Sequence, residues 1–264
     1  MIKLIASDLD GTLLPPTRIL PEETFPLIKK FSSLGGVFCP ASGRQLPNLL
    51  KLFEPVKDYI AIIAENGGLV WYKGEIIFAD PTPAADVKRA LNVIRAEKDL
   101  YPVISCTDCA YIEDGDEQFI TVFKRSYSAY KKVDNLDDIL DEVTALKISV
   151  WDAQPSAEHG GKVLPPKIKG LRTMVSGRDW LDVSIADANK GKALNALMAK
   201  LGVDRSDCVA FGDHMNDLEM LLASGNPYVT ANAFPALKAK IGEEIPSNAD
   251  FGVITKIKEL IGVL

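Results

Sequence analysis

Histidine and cysteine are scarce in this sequence. Its 264 residues include two histidines and four cysteines, and Cys106 and Cys109 form a single CxxC motif with no second pair and no histidine at zinc-finger spacing. A zinc site needs a cluster of such ligands, and a disulfide framework needs more cysteines in a shorter chain. We therefore expect reduced thiols and no structural zinc.

The sequence also lacks a long apolar run and a block of like charges. A membrane-spanning helix needs about 20 consecutive apolar residues, and a nucleic-acid surface needs clustered lysine and arginine. The formal net charge is −6, and the first apolar run begins at residue 2, so no signal peptide fits before it. We expect a cytoplasmic protein, monomeric or in a small homo-oligomer, without membrane or nucleic-acid partners.

Hydrophobic residues make up 47% of the chain, and their pattern predicts an α/β fold. Strands and helices alternate over residues 1–81 and again over 187–264, which predicts a Rossmann-like core around a parallel sheet. In residues 82–186, strand-like runs follow one another with few helices between them, and one of these runs is 119–123. This stretch is predicted to be an inserted, largely antiparallel α+β domain.

Two aspartates follow the first predicted strand. Apart from Lys3, residues 2–6 form a short apolar run, and Asp8 and Asp10 come after it at a spacing of i, i+2. In an extended chain these side chains point the same way, and each of two close like charges raises the cost of ionising the other. We therefore expect a bound cation or a shared proton at this strand end. Gly11 then lets the backbone leave the strand.

A second acidic cluster follows a later strand. Asp213, Asn216 and Asp217 stand at i, i+3 and i+4, so on a helix they share one face. The same pattern is typical of an N-capping aspartate with acids in the first turn. Both clusters, however, follow strands of one predicted parallel sheet, where ligands bind. Together they favour Mg²⁺, which takes carboxylate oxygens, waters and a substrate phosphate.

Residues that suit an anion follow other strands of the same sheet. Ser42 and Gly43 offer a hydroxyl and backbone N–H groups, although Ser42 is equally typical of a helix cap. Lys190 stands at a predicted helix start, where its ammonium can contact a phosphate. The Asn66-Gly67 pair is typical of a tight turn, and we interpret it as structural.

These groups together suit phosphoryl transfer through a covalent intermediate. An aspartate can attack phosphorus and form an aspartyl phosphate. A second carboxyl group can protonate the leaving oxygen and later deprotonate the attacking water. A metal ion, a lysine and amide donors stabilise charge on the transferred oxygens. Asp8 and Asp10 divide the two carboxyl roles between them.

Five motifs give the sequence a family resemblance, in this order along the chain: Asp8-Leu9-Asp10-Gly11-Thr12-Leu13, Ala41-Ser42-Gly43-Arg44, Glu65-Asn66-Gly67, Asn189-Lys190-Gly191 and Gly212-Asp213-His214-Met215-Asn216-Asp217. On these residues the chain resembles the haloacid dehalogenase (HAD) superfamily of phosphatases, in particular its Cof-like (type IIB) members. The resemblance implies a Rossmann-like HAD core, a C2-type (C2B) cap domain, Mg²⁺ as cofactor, and a small phosphorylated metabolite, above all a sugar phosphate, as substrate.

The resemblance also implies a role for each matching residue. Asp8 would be the nucleophile and Asp10 the general acid/base. Phosphate would be held by the Leu9 amide, Ser42, Gly43, Lys190 and Asn216. Mg²⁺ would be bound by Asp8, the Asp10 backbone carbonyl and Asp213, with Asp217 as a further ligand or a neighbour of one.

Two other functions stay open on the same motifs. A phosphosugar mutase would reuse the aspartyl phosphate to phosphorylate another hydroxyl group. A phospho-accepting signalling domain would keep its phosphoaspartate without turnover. Asp10 and the large insertion argue for an enzyme, because a receiver needs neither an acid/base nor a lid.

Overall fold

The structure, a computed structural model, describes residues 1–263. Within them the strands are β1 (Leu4–Ser7), β2 (Val37–Pro40), β3 (Ala61–Ala64), β4 (Leu69–Tyr72), β5 (Glu75–Ala79), β6 (Leu100–Cys106), β7 (Ala110–Ile112), β8 (Tyr130–Lys132), β9 (Ala145–Asp152), β10 (Leu171–Val175), β11 (Trp180–Ile185), β12 (Cys208–Gly212), β13 (Asn226–Thr230) and β14 (Glu244–Ile245). The α-helices are α1 (Thr24–Ser33), α2 (Leu46–Leu52), α3 (Ala84–Arg95), α4 (Glu117–Ser126), α5 (Gly160–Val163), α6 (Lys190–Leu201), α7 (Leu218–Ala223), α8 (Pro235–Ile241) and α9 (Gly252–Ile261). No helix in the described range is long and apolar enough to cross a membrane.

The chain divides into two compact units. The first consists of Met1–Phe78 together with the described chain from Asn189 onward, and the second is Ala79–Ala188. The two junctions thus lie at 78/79 and 188/189. The sequence pattern placed them at 81/82 and 186/187.

The first unit is built on a five-stranded sheet in the order β14-β13-β12-β1-β2. All of its strand pairs are parallel, as predicted. β1 is a central strand, because Leu4 pairs with Val37 of β2 on one side and with Cys208 of β12 on the other. Every residue of β1 is buried, which explains why the strand reads as a continuous apolar run rather than an alternating one.

Helices cover both faces of this sheet. Leu194 of α6 joins Leu4 of β1 in one hydrophobic cluster. On the opposite face, Leu27 of α1 and Ile254 of α9 line a small apolar cavity with Phe38 of β2. Successive side chains of a strand point to opposite faces, so an all-apolar strand packs against both helix layers at once. This arrangement is the predicted α/β core.

A second sheet of the first unit, in the order β3-β4-β5, lies beside β2. β3 and β4 pair in antiparallel fashion. Two isolated parallel bridges, Phe38 to Ile60 and Ala41 to Ile63, join the chain around β3 to the segment around β2. The carboxyl end of β3 therefore lies at the same edge as the ends of β1, β2 and β12.

The second unit is a six-stranded sheet in the order β10-β11-β9-β6-β7-β8. Its pairs are antiparallel except β7 with β8, which are parallel. Leu91 and Ile94 of α3 pack in the cluster on one face, which includes Ile148 of β9. Phe119 and Trp151 belong to the cluster on the other face. The expectation of a separate, largely antiparallel unit is confirmed.

Residues 119–123 are helical, and the prediction of a strand there was wrong. They lie inside α4, whose N-cap is Asp116: its carboxylate accepts a hydrogen bond from the Phe119 N–H at 2.7 Å. β-branched and aromatic residues favour strands by propensity. Phe119 and Phe123, however, stand four residues apart and are both buried on one helix face. The cap and this shared packing outweigh the local propensity.

We expect Phe119→Ala to destabilise the second unit by about 3–5 kcal/mol, because it removes a fully buried ring. The Phe119 ring stacks on Tyr101 at a centroid distance of 4.9 Å and lies 5.8 Å from Trp151. Urea unfolding followed by tryptophan fluorescence measures the change. Thr121→Ala, at an exposed position of the same helix, is the control and should alter stability by less than about 0.5 kcal/mol. Equal effects of the two changes would contradict the packing described.

Candidate active site

Polar residues gather where parallel strands of the first unit end. Asp8 follows β1 directly, and Asp213 follows β12 directly. Ser42 comes two residues after β2, and its N–H donates to the carbonyl of Ile63 in β3 at 2.9 Å. Because β1 lies between β2 and β12, these side chains meet at one edge of the sheet.

Asp8 is a buried carboxylate, 7% exposed. One of its oxygens lies 2.6 Å from the Lys190 ammonium. Burial raises the pKa of Asp8 well above its usual range, and the charges of Asp217 and Asp213 raise it further, whereas Lys190 lowers it. The ionised form of Asp8 therefore depends on nearby positive charge.

Lys190 is fully buried and bridges two carboxylates. Its Nζ lies 2.6 Å from Asp8 Oδ1 and 2.6 Å from Asp217 Oδ1. Burial would lower the pKa of Lys190, but the charges of Asp217 and Asp8 outweigh it, so the pKa lies above its ordinary value. Lys190 is the first residue of α6, and the preceding Asn189 caps this helix by accepting from the Lys192 N–H at 2.8 Å. The cap fixes the backbone from which the ammonium extends.

Asp217 uses both of its oxygens. Oδ1 contacts Lys190, and Oδ2 accepts hydrogen bonds from the backbone N–H groups of Asp213 and His214, each at 3.1 Å. The residue has no exposed surface. Asp217 therefore anchors Lys190 and at the same time fixes the loop that carries Asp213.

Asp213 lies against the turn that follows Asp8. Its Oδ1 accepts from the Thr12 hydroxyl at 2.8 Å. A Cβ at position 11 would overlap the Asp213 carboxylate, and Gly11 has φ +92°. Only glycine fits both the conformation and the space. Burial and the charge of Asp217 raise the pKa of Asp213.

The carboxylate of Asp10 is paired with Arg44 rather than with Asp8. The Arg44 Nε donates to one Asp10 oxygen at 3.0 Å, and Nη2 donates to the other at 2.7 Å. The expectation that Asp8 and Asp10 share one strand face was wrong, whereas their mutual repulsion stays a prediction. β1 ends at Ser7, so the strand alternation on which it rested does not extend to Asp10. The charges that raise the pKa of Asp8 belong to Asp217 and Asp213.

The residues expected to hold phosphate lie around the same strand ends. Ser42 is buried, and its Oγ accepts from the Arg44 N–H at 3.2 Å. Leu9 lies buried between the two aspartates, with its carbonyl accepting from the Leu14 N–H at 2.8 Å. Asn216 donates from Nδ2 to Oδ1 of Asn66 at 3.2 Å. The amide of Asn66 lies against Gly43, where a Cβ would stand 2.9 Å from its Nδ2.

Arg44 and Asn66 are the residues whose contacts sequence reasoning missed. Arg44 stands in a recognised motif without an assigned role, and Asn66 was interpreted as part of a structural turn. Their signal was position alone, since both follow strands at the polar edge of the sheet. The spacing of residues in the sequence does not show which groups these side chains reach.

The acidic residues fit a hard divalent cation. Ligand oxygens of Asp8, Asp213 and Asp217 all lie within 4.8 Å of one another. With all three ionised, three negative charges face the single positive charge of Lys190, which leaves two negative charges in excess. Carboxylate oxygens without a sulfur or imidazole partner suit Mg²⁺ better than zinc.

We expect Lys190→Met to destabilise the protein by about 3–5 kcal/mol at neutral pH, because it leaves Asp8 and Asp217 buried without their cation. Equilibrium denaturation in urea measures the loss. Adding Asp217→Asn to this variant should recover part of it by removing one uncompensated charge. Lys200→Met, exposed near the end of α6, serves as the control and should have little effect. Unchanged stability of Lys190→Met would refute the bridging role.

Comparisons with known proteins show the family of this chain. Residues 5–257 match the family model described as haloacid dehalogenase-like hydrolase. The chain is 28% identical over 264 residues to the 5-amino-6-(5-phospho-D-ribitylamino)uracil phosphatase YbjI of Escherichia coli (strain K12), covering 98% of this chain and 96% of that protein. It is also 28% identical over 258 residues to the HMP-PP phosphatase of Escherichia coli (strain K12), with coverages of 91% and 88%.

Solved structures show the same fold. TM0651 from Thermotoga maritima superposes with a TM-score of 0.85 at 25% identity, covering 98% of this chain and 97% of that one. SMU.1108c from Streptococcus mutans UA159 gives a TM-score of 0.84 at 21% identity, with coverages of 99% and 100%. The family model spans nearly the whole chain and confirms the resemblance read from the motifs. This protein therefore belongs to the haloacid dehalogenase-like hydrolases.

Proposed function

We propose that this protein is a Mg²⁺-dependent phosphatase that hydrolyses small phosphorylated metabolites through an aspartyl phosphate on Asp8. The observation that carries the proposal is the buried Asp8 carboxylate with the Lys190 ammonium 2.6 Å away, at the polar edge of a parallel sheet. A carboxyl group attacks phosphorus only when ionised. Lys190 favours that form where burial alone would oppose it.

Bound Mg²⁺ would also allow a negatively charged substrate to approach the site. The two excess negative charges of the acidic cluster would repel a phosphate dianion. We propose that Asp8, Asp213 and the backbone carbonyl of Asp10 hold Mg²⁺, and that Asp217, whose oxygens already have partners, supports the site from behind. When bound, the ion would neutralise charge on the transferred oxygens.

In the first step, an oxygen of Asp8 forms a bond to phosphorus while the bond from phosphorus to the leaving oxygen breaks. Asp10, in its protonated form, gives the leaving oxygen its proton. A protonated carboxyl group is a weaker acceptor than a carboxylate, so the pairing of Asp10 with Arg44 would weaken when Asp10 acts as an acid. The amides of Leu9 and Gly43, the Ser42 hydroxyl, Asn216 and Lys190 would hold the phosphate oxygens.

In the second step, water attacks the phosphorus of the aspartyl phosphate and gives a proton to Asp10. The bond between phosphorus and Asp8 breaks, which releases inorganic phosphate and restores the carboxylate. Lys190 also contacts Asp217, which would keep its charge in place when the Asp8 carboxylate reappears. Pre-arranged charge of this kind needs no reorganisation during the reaction.

For the substrate we propose a sugar or sugar-alcohol phosphate. One relative is named for a phosphorylated ribitylamino compound, and another for HMP-PP. The first of these names supports a polyhydroxylated leaving group. We further propose that Ala79–Ala188 is a cap domain of the C2 type that selects it, since the core motifs address only the phosphate.

We expect the enzyme to release inorganic phosphate from members of a panel of sugar phosphates, sugar-alcohol phosphates and HMP-PP with Mg²⁺, and to lose this activity when a chelator is added. Asp8→Asn should lower the rate by on the order of a thousandfold or more, because an amide cannot attack phosphorus. Far-UV circular dichroism provides the check that the variant is folded. Full activity of Asp8→Asn would sink the mechanism, and isomer formation without free phosphate would identify a mutase instead.

Binding of Mg²⁺ should weaken as pH falls. Burial raises the pKa values of Asp8 and Asp213 above their ordinary value of 3.8, so protons compete with the ion at pH values above that of a free aspartate. Calorimetric titrations between pH 5 and 8, in buffers of different ionisation enthalpy, would measure affinity and released protons together. Asp213→Asn should reduce affinity by about tenfold or more. An affinity that does not change with pH would contradict this assignment.

A further inference from the structure

The turn after β3 has a strained backbone. Glu65 and Asn66 have φ values of 53° and 57° and belong to the six non-glycine residues with positive φ among residues 1–263. Residues other than glycine rarely adopt this left-handed conformation, although asparagine does so more readily than glutamate. Strain of this kind persists only where the surroundings over-determine it. Two consecutive strained residues therefore require contacts that hold them.

Those contacts lead to the loop after β2 and to the start of α6. The Asn66 N–H donates to the Ser42 carbonyl at 3.0 Å, and the Glu65 N–H donates to the Arg44 carbonyl at 3.2 Å. At Gly67 a Cβ would overlap the carbonyl group of Asn189, the residue before Lys190. The turn thus contacts the backbone of Ser42 and Arg44, on either side of Gly43, and the backbone next to Lys190. We propose that Gly43 and Lys190 bind phosphate.

The Asn66 side chain makes a third contact, with the loop after β12. Its Oδ1 accepts a hydrogen bond from Asn216 Nδ2 at 3.2 Å. Its amide also lies on the face of Gly43, with Nδ2 and Oδ1 at 2.9 and 3.1 Å from the position of a Cβ there. A side chain larger than hydrogen at position 43 would displace it. Asn66 therefore stands between Gly43 and Asn216.

We propose that Asn66 is a positioning residue, which orients the Asn216 amide toward the substrate phosphate; the inference rests on the proposed function. A carboxamide can turn about its last bond and present either oxygen or nitrogen. The hydrogen bond to Asn66 Oδ1 holds the nitrogen end of Asn216 inward and leaves its second N–H to a phosphate oxygen. The left-handed backbone at Asn66 directs its side chain to the position between Gly43 and Asn216.

The test is a double-mutant cycle of Asn66→Gly and Asn216→Ala. Glycine accepts the left-handed backbone without strain, so Asn66→Gly removes the side chain and leaves the turn intact. Lys73→Gly is the matched control, since Lys73 has φ 50° in the hairpin turn between β4 and β5. The probes are the hydrolysis of p-nitrophenyl phosphate with Mg²⁺ and its inhibition by inorganic phosphate.

We expect Asn66→Gly to raise both the KM and the phosphate inhibition constant roughly three- to tenfold, the effect of one lost hydrogen bond, with a smaller fall in kcat. In the Asn216→Ala background the same change should add less than about twofold, because the residue acts through Asn216. Lys73→Gly should leave both constants unchanged. The same losses in both backgrounds, or none in either, would overturn the proposal.

Failure of the proposed function would look different. If the wild-type protein released no phosphate from any ester, the proposed phosphatase function would be wrong. Calorimetric binding of inorganic phosphate would then decide the role of Asn66 through the same cycle, and unaltered binding by Asn66→Gly would overturn it. Additive effects of the two changes on the free energy of unfolding would also overturn it, because the two side chains would then share no interaction.

Discussion

The ammonium of Lys190 is the charge on which the rest of the site depends. It lies fully buried between Asp8 and Asp217, 2.6 Å from an oxygen of each. Burial without it would favour the neutral form of Asp8. Asp217 links Lys190 to the next loop, because its second oxygen accepts a hydrogen bond from the Asp213 N–H. The Lys190 ammonium therefore favours the ionised form of Asp8 and, through Asp217, helps to fix the loop that carries Asp213.

The sheet supplies the distances that this network needs. Asp8 and Asp213 follow neighbouring parallel strands directly, so their side chains start about one strand spacing apart. Gly11 allows the Asp213 carboxylate to lie against the turn after Asp8, since any larger residue would overlap that carboxylate. With all three carboxylates ionised, the negative excess would be unfavourable in the protein alone and favourable with a divalent cation bound. The stability of the protein without metal and its affinity for metal would therefore be opposed.

The parallel sheet and the strand-end positions of Asp8, Ser42 and Asp213 could be predicted, because they follow from short apolar runs and the geometry of parallel strands. The partner of Asp10 could not, because strand alternation stops at Ser7 and a long arginine side chain reaches a residue that spacing does not indicate. Residues 119–123 were misassigned because propensity favours a strand, while packing around Trp151 and the cap at Asp116 select a helix.

The contact of Asn66 with Asn216 was equally beyond the sequence, since it depends on two consecutive left-handed residues, of which only Asn66 is of a type that favours that conformation. The lesson is physical: apolar periodicity reports which segments are buried, whereas the pairing of polar side chains depends on the conformation of loops. The candidate site residues could be located from the strand ends, whereas their hydrogen-bond partners depend on the conformation of the loops.

The central position of β1 in the sheet has a consequence for folding during synthesis. Its two neighbours are β2, some thirty residues on, and β12, which ends at Gly212. β1 is synthesised before both of its neighbours, so the side that pairs with β12 stays unpaired while Ala79–Ala188 is synthesised as a contiguous segment with its own sheet. Asp8 meets Lys190 only after that segment is complete. The cluster of Asp8, Asp213 and Asp217 can therefore form only late in synthesis, after the first strand and the whole inserted segment exist.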